Sequence, residues 1–297
     1  MDDTDVTEAD RVFAEHQSLL FTVAYQILGS AVDAEDVVQD SYLRWRHADT
    51  AAVEYPRAYL VQTVTRQAVN TLRATARRRE DYVGNWLPEP ILTGPDVSAD
   101  ALLAESVSMA MMLILQTLTP AERAVFVLGE VFGFAGPEIA AITGKTEVAV
   151  RQTIHRARRH VQARRKRFEP DRDKSEAIVD KFLRAARTGD MDGLLAVLSS
   201  DVIQISDGGG QVRAAQSPVV GPERVAHFIM HLAGGELGHS AIEFDFYNTA
   251  PAVLFSTNDR LHTVLLFEVT GSAVSGLYAI RNPEKLRAAR VLRALAR

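Results

Sequence analysis

The chain has 297 residues, 47% of them apolar, enough for two or three domains with real cores. It contains no cysteine, which excludes disulfides and thiolate metal sites; no apolar run approaches the about 18 residues of a membrane span, and the opening MDDTDVTEAD is acidic where a secretory signal is basic, so a cytoplasmic protein is expected. The net charge of -5 argues against a nucleic-acid binder only until it is divided: residues 1–65 carry -8, residues 66–170 carry +4 and residues 171–297 carry -1, which suggests a protein partner for the first part and DNA for the middle. Residues 7–28 place Phe13, Leu19, Leu20, Val23, Ile27 and Leu28 at helical spacings and stop at Gly29-Ser30. A second helix follows in AVDAEDVVQDSYLRWRHA. Val37, Val38, Tyr42 and Trp45 can face inward there, leaving Asp33, Asp36, Gln39 and Asp40 outside. A protein partner with a basic groove would select that acidic face; an ordinary solvated face is the alternative.

Tyr55-Pro56-Arg57 opens a third helix, AYLVQTVTRQAVNTLRATARRR, with proline at its start. Arg66, Asn70 and Arg73 recur on it at helical spacing. Asn70 is suited to a base edge and the arginines to phosphate, the combination that captures unstacked bases. The run Arg77 to Arg79 can instead supply electrostatic attraction alone. Residues 82–100 hold three prolines and two glycines without clear periodicity, so they read as a linker, in which Trp86 and Leu87 suggest docking. Helices resume near Asp100, with Leu102, Leu103, Met109, Met112 and Leu113 as a buried stripe, and Thr119-Pro120-Ala121-Glu122 is a capping signal.

The stretch AERAVFVLGEVFGFAGPEIAAITGKTEVAVRQTIHRARRHVQARRKRF has the grammar of a helix-turn-helix, with a turn at Thr143-Gly144-Lys145 and a long basic second helix. On a helical wheel Val150, Ile154, Ala157 and Val161 share one side, while Arg151, Gln152, His155, Arg159 and Gln162 share the other. Eight basic residues lie between Arg151 and Arg167 with no acid among them. The competing reading is a solvated basic helix. Arg151, Gln152, His155 and Arg156 stand in the half that enters the major groove, where an Arg–guanine or Gln–adenine pair is worth about 1–3 kcal/mol of discrimination.

After Pro170 two helices, about Lys174 to Thr188 and Met191 to Leu198, precede the strand-like segments DVIQI, IEFDFYN, AVLFST, LHTVLLFEVT and AVSGLYAI, with one more helix from Gly221 to Ala233. This predicts an α+β domain in which a curved antiparallel sheet wraps a helix. His227, His231, His239, Asp245 and His262 could in principle serve acid–base chemistry, but no spacing fixes a base on a reacting carbon, and two histidines one turn apart lack a third ligand for a metal. No catalytic residue, metal ligand or cofactor is assigned. Asp207, Gly208, Gly209, Gly210 and Gln211 form either a tight turn between strands or a loop that approaches another segment closely, with the Trp86 linker as the candidate.

With these residues in view the chain resembles the extracytoplasmic-function sigma factors of bacterial RNA polymerase. AVDAEDVVQDSYLRW is similar to the segment that binds the clamp of the polymerase β′ subunit, YPRAYLVQTVTRQAVN to the segment that recognises and melts the -10 element, and LTPAERAVFVLGEVFGFAGPEIAAITGKTEVAVRQTIHRARR to the -35-reading domain. The resemblance implies a sigma-2 domain over 1–81, a linker over 82–100 and a sigma-4 helix-turn-helix domain over 101–168. Residues 171–297 resemble a SnoaL-like domain, and the resemblance implies that this fused domain regulates the sigma part in cis. Three strings support that match: Asn85-Trp86-Leu87-Pro88-Glu89-Pro90, Asp207 to Gln211, and Asn282-Pro283-Glu284-Lys285-Leu286. Gln211 stands where lysine is more usual. The implied interdomain contacts are Trp86, Pro88, Asp207 to Gln211, Asn282, Pro283 and Lys285. The implied partners are core polymerase and promoter DNA, with no membrane, and a small ligand in the C-terminal domain stays open. A stand-alone helix-turn-helix regulator and a fused SnoaL-like enzyme are the alternatives; neither accounts for the acidic face.

Overall fold

The computed structural model describes residues 7–94, 97, 100–163 and 172–297. They fall into two compact units, Met1–Arg77 with Ile114–Arg164 and Ala294–Arg297, and Arg78–Leu113 with Arg165–Arg293. In chain order the first unit holds α1 (Glu8–Leu28), α2 (Ala31–His47) and α3 (Pro56–Glu80). The chain then passes through β1 (Leu92–Thr93), α4 (Ala101–Val107) and α5 (Met109–Gln116) and returns to the first unit for α6 (Pro120–Phe126), α7 (Gly136–Thr143) and α8 (Glu147–Gln162). The second unit continues with α9 (Arg172–Thr188), α10 (Met191–Val197), β2 (Leu198–Asp207), β3 (Val219–Val220), α11 (Pro222–Ala233), β4 (Ala241–Tyr247), β5 (Ala250–Thr257), β6 (Arg260–Thr270), β7 (Ala273–Ile280), α12 (Pro283–Leu286) and β8 (Leu292–Arg293).

In the first unit the helix ends are set by local chemistry. Thr7 and Asp10 cap α1 reciprocally, Ser30 caps α2, Thr119 and Glu122 cap α6 reciprocally, and Thr146 caps α8. Trp45 is buried, and its indole donates to the Ala9 carbonyl at 2.8 Å, fastening α2 to the start of α1. Arg123 is a buried cation whose guanidinium donates to the carbonyls of Leu115 and Ile27, the latter in the last turn of α1, where the helix dipole favours positive charge. Between α6 and α7 the chain continues as a π-helical turn, Val127–Val131.

Among the described residues the sheet of the second unit has eight strands in the order β3-β2-β7-β6-β5-β4-β1-β8. β4 to β7 form the expected antiparallel meander, but β2 lies parallel to β7, so the sheet is mixed. The parallel pairing is allowed because a long crossover containing α11 and the meander separates the two strands. One sheet face packs on α9, α10 and α11 through Val253, Phe255, Leu265 and Phe267, with Phe182 edge-on to Phe267. The opposite face, carrying Ala252, Leu254, Val264 and Leu266, is covered by Leu87, Met109, Leu286 and Ala289. Both faces are therefore buried, which is why β5 and β6 read as unbroken apolar runs and not as alternation.

The described residues between 82 and 113 pack within this sheet-containing unit. β1 adds to β4 with Leu92 opposite Tyr247. Asn248 and Thr249, the hairpin turn between β4 and β5, have φ of 51° and 62°. Positive φ strains a threonine by about 1–3 kcal/mol. The turn repays this by gripping the linker: Asn248 exchanges hydrogen bonds with the Ile91 backbone and donates to the Val107 carbonyl, and the Thr249 hydroxyl donates to the Ala104 carbonyl. Where the sequence opens the second helical domain at 101, α4 and Met109 thus take their neighbours from the sheet. Of the expected stripe, Leu103, Met109 and Met112 are buried, whereas Leu102 is exposed.

Candidate functional site

Four surfaces were marked by the sequence, and each has a distinct environment. On α2, Asp36, Gln39 and Asp40 are exposed and Asp33, in the first turn, is half-buried. Two apolar side chains accompany them: Val32 is 41% and Leu43 49% exposed, at helical spacings from Asp36 and Gln39 that place all of them on one side. An acidic stripe with apolar residues at both ends suits a protein partner better than solvent does. The sequence analysis missed Val32 and Leu43 because an apolar residue in a helix reads as core by default.

On α3, Arg66, Asn70 and Arg73 are all exposed, and buried Val64, Ala68 and Leu72 line the inner side. Asn70 and Arg73 face outward as expected. Arg66 is engaged within the protein: Nε donates to the Ile142 carbonyl at 3.0 Å and Nη2 to the Ala141 carbonyl at 3.2 Å. Gln62, one turn earlier, donates to the same Ala141 carbonyl at 2.9 Å. These are last-turn carbonyls of α7 that have no partner inside their own helix, and a cation there also meets the negative end of the dipole. Arg57 adds a cation–π contact with Phe134 at 4.9 Å. The side chains of Arg77 to Arg79, and the basic run at 164–167, lie outside the described residues.

On α8 the inner side is formed by Val150, Thr153, Ala157 and Val161. Arg151, Gln152, His155 and Arg156 line one shallow depression on the outer side. Arg158 points elsewhere, in a two-pronged ion pair with Glu130 at 2.6 and 3.0 Å, and His160 meets the Thr117 hydroxyl at 2.6 Å. The outward quartet is thus set apart from the basic residues that hold the domain together.

The fourth surface is a buried knot. Asp207, at the end of β2, is fully buried. Its Oδ1 accepts from the Tyr82 hydroxyl at 2.5 Å and the Gly209 amide at 3.0 Å, and its Oδ2 from the Leu87 amide at 2.9 Å and Lys285 Nζ at 2.7 Å. Lys285 also donates to the Leu87 carbonyl and lies 3.9 Å from the Trp86 ring centroid. Asn282 caps α12, whose first residue is Pro283, and its amide donates to the Tyr82 hydroxyl at 2.8 Å. Burial and the neighbouring Asp207 carboxylate push the Tyr82 hydroxyl well above the ordinary phenol range, which keeps it a donor. Pro88 is buried beside this cluster in sequence, and Asn85 donates to the carbonyls of Ser206 and Ala215.

The glycines are required by space. Gly209 has φ 62°, and a Cβ there would stand 2.4 Å from the Asn282 amide nitrogen; Gly210 has φ 69°, and its Cβ would stand 3.0 Å from that of Val83 in the linker. A Cβ at Gly208 would stand 2.4 Å from the Val212 carbonyl oxygen. Gln211 is exposed, with its amide on the Gly208 carbonyl. Three strings remote in sequence therefore meet around one carboxylate. Tyr82 was not anticipated; its place just before the linker string was the available signal. The residues considered for acid–base work are dispersed: Asp245 is exposed and accepts from the Phe246 amide, His227 is exposed on the Glu223 carbonyl, and His262 sits among the hydroxyls of Ser240, Thr257 and Thr263.

Comparison with known proteins bears on these surfaces. Residues 12–78 match the sigma-70 region 2 family, and residues 108–161 match sigma-70 region 4. The chain is 38% identical over 217 residues to the ECF RNA polymerase sigma factor SigJ of Mycobacterium tuberculosis, covering 72% of this chain and 69% of that one. It is 27% identical over 277 residues to the probable ECF RNA polymerase sigma factor SigI of the same species, covering 91% and 92%. The crystal structure of Mycobacterium tuberculosis SigJ superimposes with a TM-score of 0.77 at 30% identity, over 96% of this chain and all of that one.

Proposed function

The chain belongs to the extracytoplasmic-function RNA polymerase sigma factors, and from that premise we propose how its surfaces divide the work of transcription initiation. The α2 face of Asp33, Asp36, Gln39 and Asp40, flanked by Val32 and Leu43, docks on the β′ clamp of core polymerase in the cytoplasm. Asn70 and Arg73 on α3 engage the -10 element, joined by Arg66 once it is released. Arg151, Gln152, His155 and Arg156 read the -35 element from the major groove. The observation that carries this reading is the separation of that exposed quartet from Arg158 and His160, which serve the fold.

Geometry then sets a requirement. Elements named -35 and -10 lie about 25 base pairs apart, or about 85 Å along B-DNA at about 3.4 Å per base pair. Arg66 of α3 cannot stay bonded to α7 at 3.0 Å while the two helix sets occupy both elements. The contact between them marks a closed state that promoter binding must open. The SnoaL-like C-terminal domain acts on this as a regulator and not as a catalyst: its knot around Asp207 fixes the linker that joins the two DNA-binding parts, and so limits how they separate.

Run-off transcription with purified core polymerase, comparing the full chain with residues 1–170, tests the reading. Promoter-dependent transcripts from the full chain and an altered yield from the truncated one are expected. Absence of transcripts from both sinks the polymerase role, and equal yields sink the regulatory one. Asp36→Arg should abolish capture of core polymerase in a pull-down.

A further inference from the structure

The helix-covered side of the sheet holds a cavity of about 400 Å³ that neither the promoter contacts nor the linker knot uses. It lies between α11 and strands β2, β6 and β7, closed on one side by the loop of Arg213, Ala214 and Ala215. Its lining is ordered by chemistry. Gln204, Ser206 and Thr263, each at most 4% exposed, form a polar floor. Phe228, Ile229, Leu232, Leu265 and Ala279 make apolar walls. Arg213 and His231, both exposed, and half-buried Arg281 stand at the mouth, and among the described residues no carboxylate lines the cavity.

The floor has an unmet hydrogen-bonding group. Gln204 is 1% exposed; its Nε2 donates to the Ser206 hydroxyl at 2.6 Å, while its buried Oε1 accepts from no protein group. Buried amides are almost always satisfied at both ends. A volume in the range of small-molecule sites, mostly apolar walls and a few convergent polar groups are the features of a ligand pocket. We propose that this cavity binds a small amphipathic organic acid: a carboxylate at the Arg213–Arg281 mouth, an apolar body of roughly ten carbons along the walls, and a terminal hydroxyl donating to Gln204 at the floor.

The site also touches the linker. Ser206 and Ala215 both line the cavity, and their carbonyls both accept from Asn85, the first residue of the linker string. An occupant that shifts the 213–215 loop shifts the Asn85 anchor. This coupling rests on the regulatory reading above; the binding itself does not.

Isothermal titration calorimetry on the full chain with 10-hydroxydecanoate, decanoate and 1,10-decanediol tests the proposal. Saturable binding of 10-hydroxydecanoate at one site per chain is expected, at least tenfold tighter than the diol and several-fold tighter than decanoate. Arg213→Glu, at an exposed position, should weaken the acid at least tenfold with an unchanged melting temperature. Gln204→Leu should bring hydroxydecanoate to the level of decanoate; if that variant is unfolded, the three-ligand comparison on the unaltered chain decides. No saturable heat, a diol that binds as tightly as the acid, or an Arg213→Glu variant with full affinity would overturn it. Neither polymerase nor DNA enters the assay, so its failure leaves the sigma-factor reading intact, and failed run-off transcription leaves the pocket intact.

Discussion

Two basic side chains reach across this protein to hold pieces together, and they do so in opposite regimes. Lys285 is buried against a carboxylate, a carbonyl and an indole ring, whereas Arg66 is exposed and bonds only carbonyls at the end of α7. Removing one member of a buried ion pair leaves a stranded charge and costs about 3–5 kcal/mol. An exposed hydrogen bond is worth about 0.5–1.5 kcal/mol, because water replaces the lost partner. The first contact is therefore the costlier to break; the second, in the proposed mechanism, opens when DNA or polymerase offers an alternative. In the proposed mechanism the distance between the DNA-binding parts is regulated through this contrast, between a linker that stays fixed and a latch that opens.

The comparison breaks most visibly at Asp207. Asp207→Asn leaves Lys285 buried without its counter-ion and should lower the stability of the C-terminal unit by about 3–5 kcal/mol in urea unfolding; a loss under about 1 kcal/mol would place the knot in the same class as the latch. Its tyrosine has a pH signature. The folded Tyr82 ionises above the usual phenol value, so its contribution is complete below about pH 10 and is lost as pH rises through the raised value. Tyr82→Phe should accordingly flatten the alkaline limb of the stability profile.

Next in size is Gly209→Ala. Left-handed backbone alone costs a residue with a Cβ about 1–2 kcal/mol, and the added methyl also strikes the buried Asn282 amide at 2.4 Å. Gly210→Ala meets the exposed Val83 at 3.0 Å and should cost less. Equal melting temperatures for the two variants would show that the Asn282 contact is not what the loop is built around.

These residues also show what a sequence discloses. Helices, strands and the four charged or glycine-rich clusters were legible because periodicity and capping are local signals: Thr119 and Glu122 cap α6, and Val150, Ala157 and Val161 line α8. The membership of residues 82–113 was not legible. It depends on the Asn248-Thr249 turn, whose grip on Ile91, Val107 and Ala104 spans more than 140 positions. The unbroken apolar runs of β5 and β6 did carry a usable signal that both sheet faces are covered, and the linker is part of the cover. Arg66 shows a different limit: its type and spacing suit a phosphate contact, but an unbonded helix end suits a guanidinium equally well, and only the tertiary structure shows which is engaged.

Arg151→Ala should weaken -35-dependent transcription by about 1–3 kcal/mol of binding, or roughly 5- to 150-fold, and selectively on the cognate sequence. An equal loss on all sequences would make Arg151 a phosphate contact, which gives affinity without discrimination.

The smallest effect separates the latch from DNA binding. Arg66 has both roles in the proposed mechanism, so its removal confounds them. Gln62 bonds the same Ala141 carbonyl but belongs to no proposed DNA contact. Gln62→Ala should cost the closed state about 0.5–1.5 kcal/mol, a shift of roughly 2- to 12-fold toward separation of α3 from α7. Energy transfer between dyes placed on these helices should fall, while affinity for a -10 single strand is unchanged. If transfer stays constant in Gln62→Ala and also in Arg66→Ala, the contact with α7 is not a latch, and the linker knot alone governs the distance.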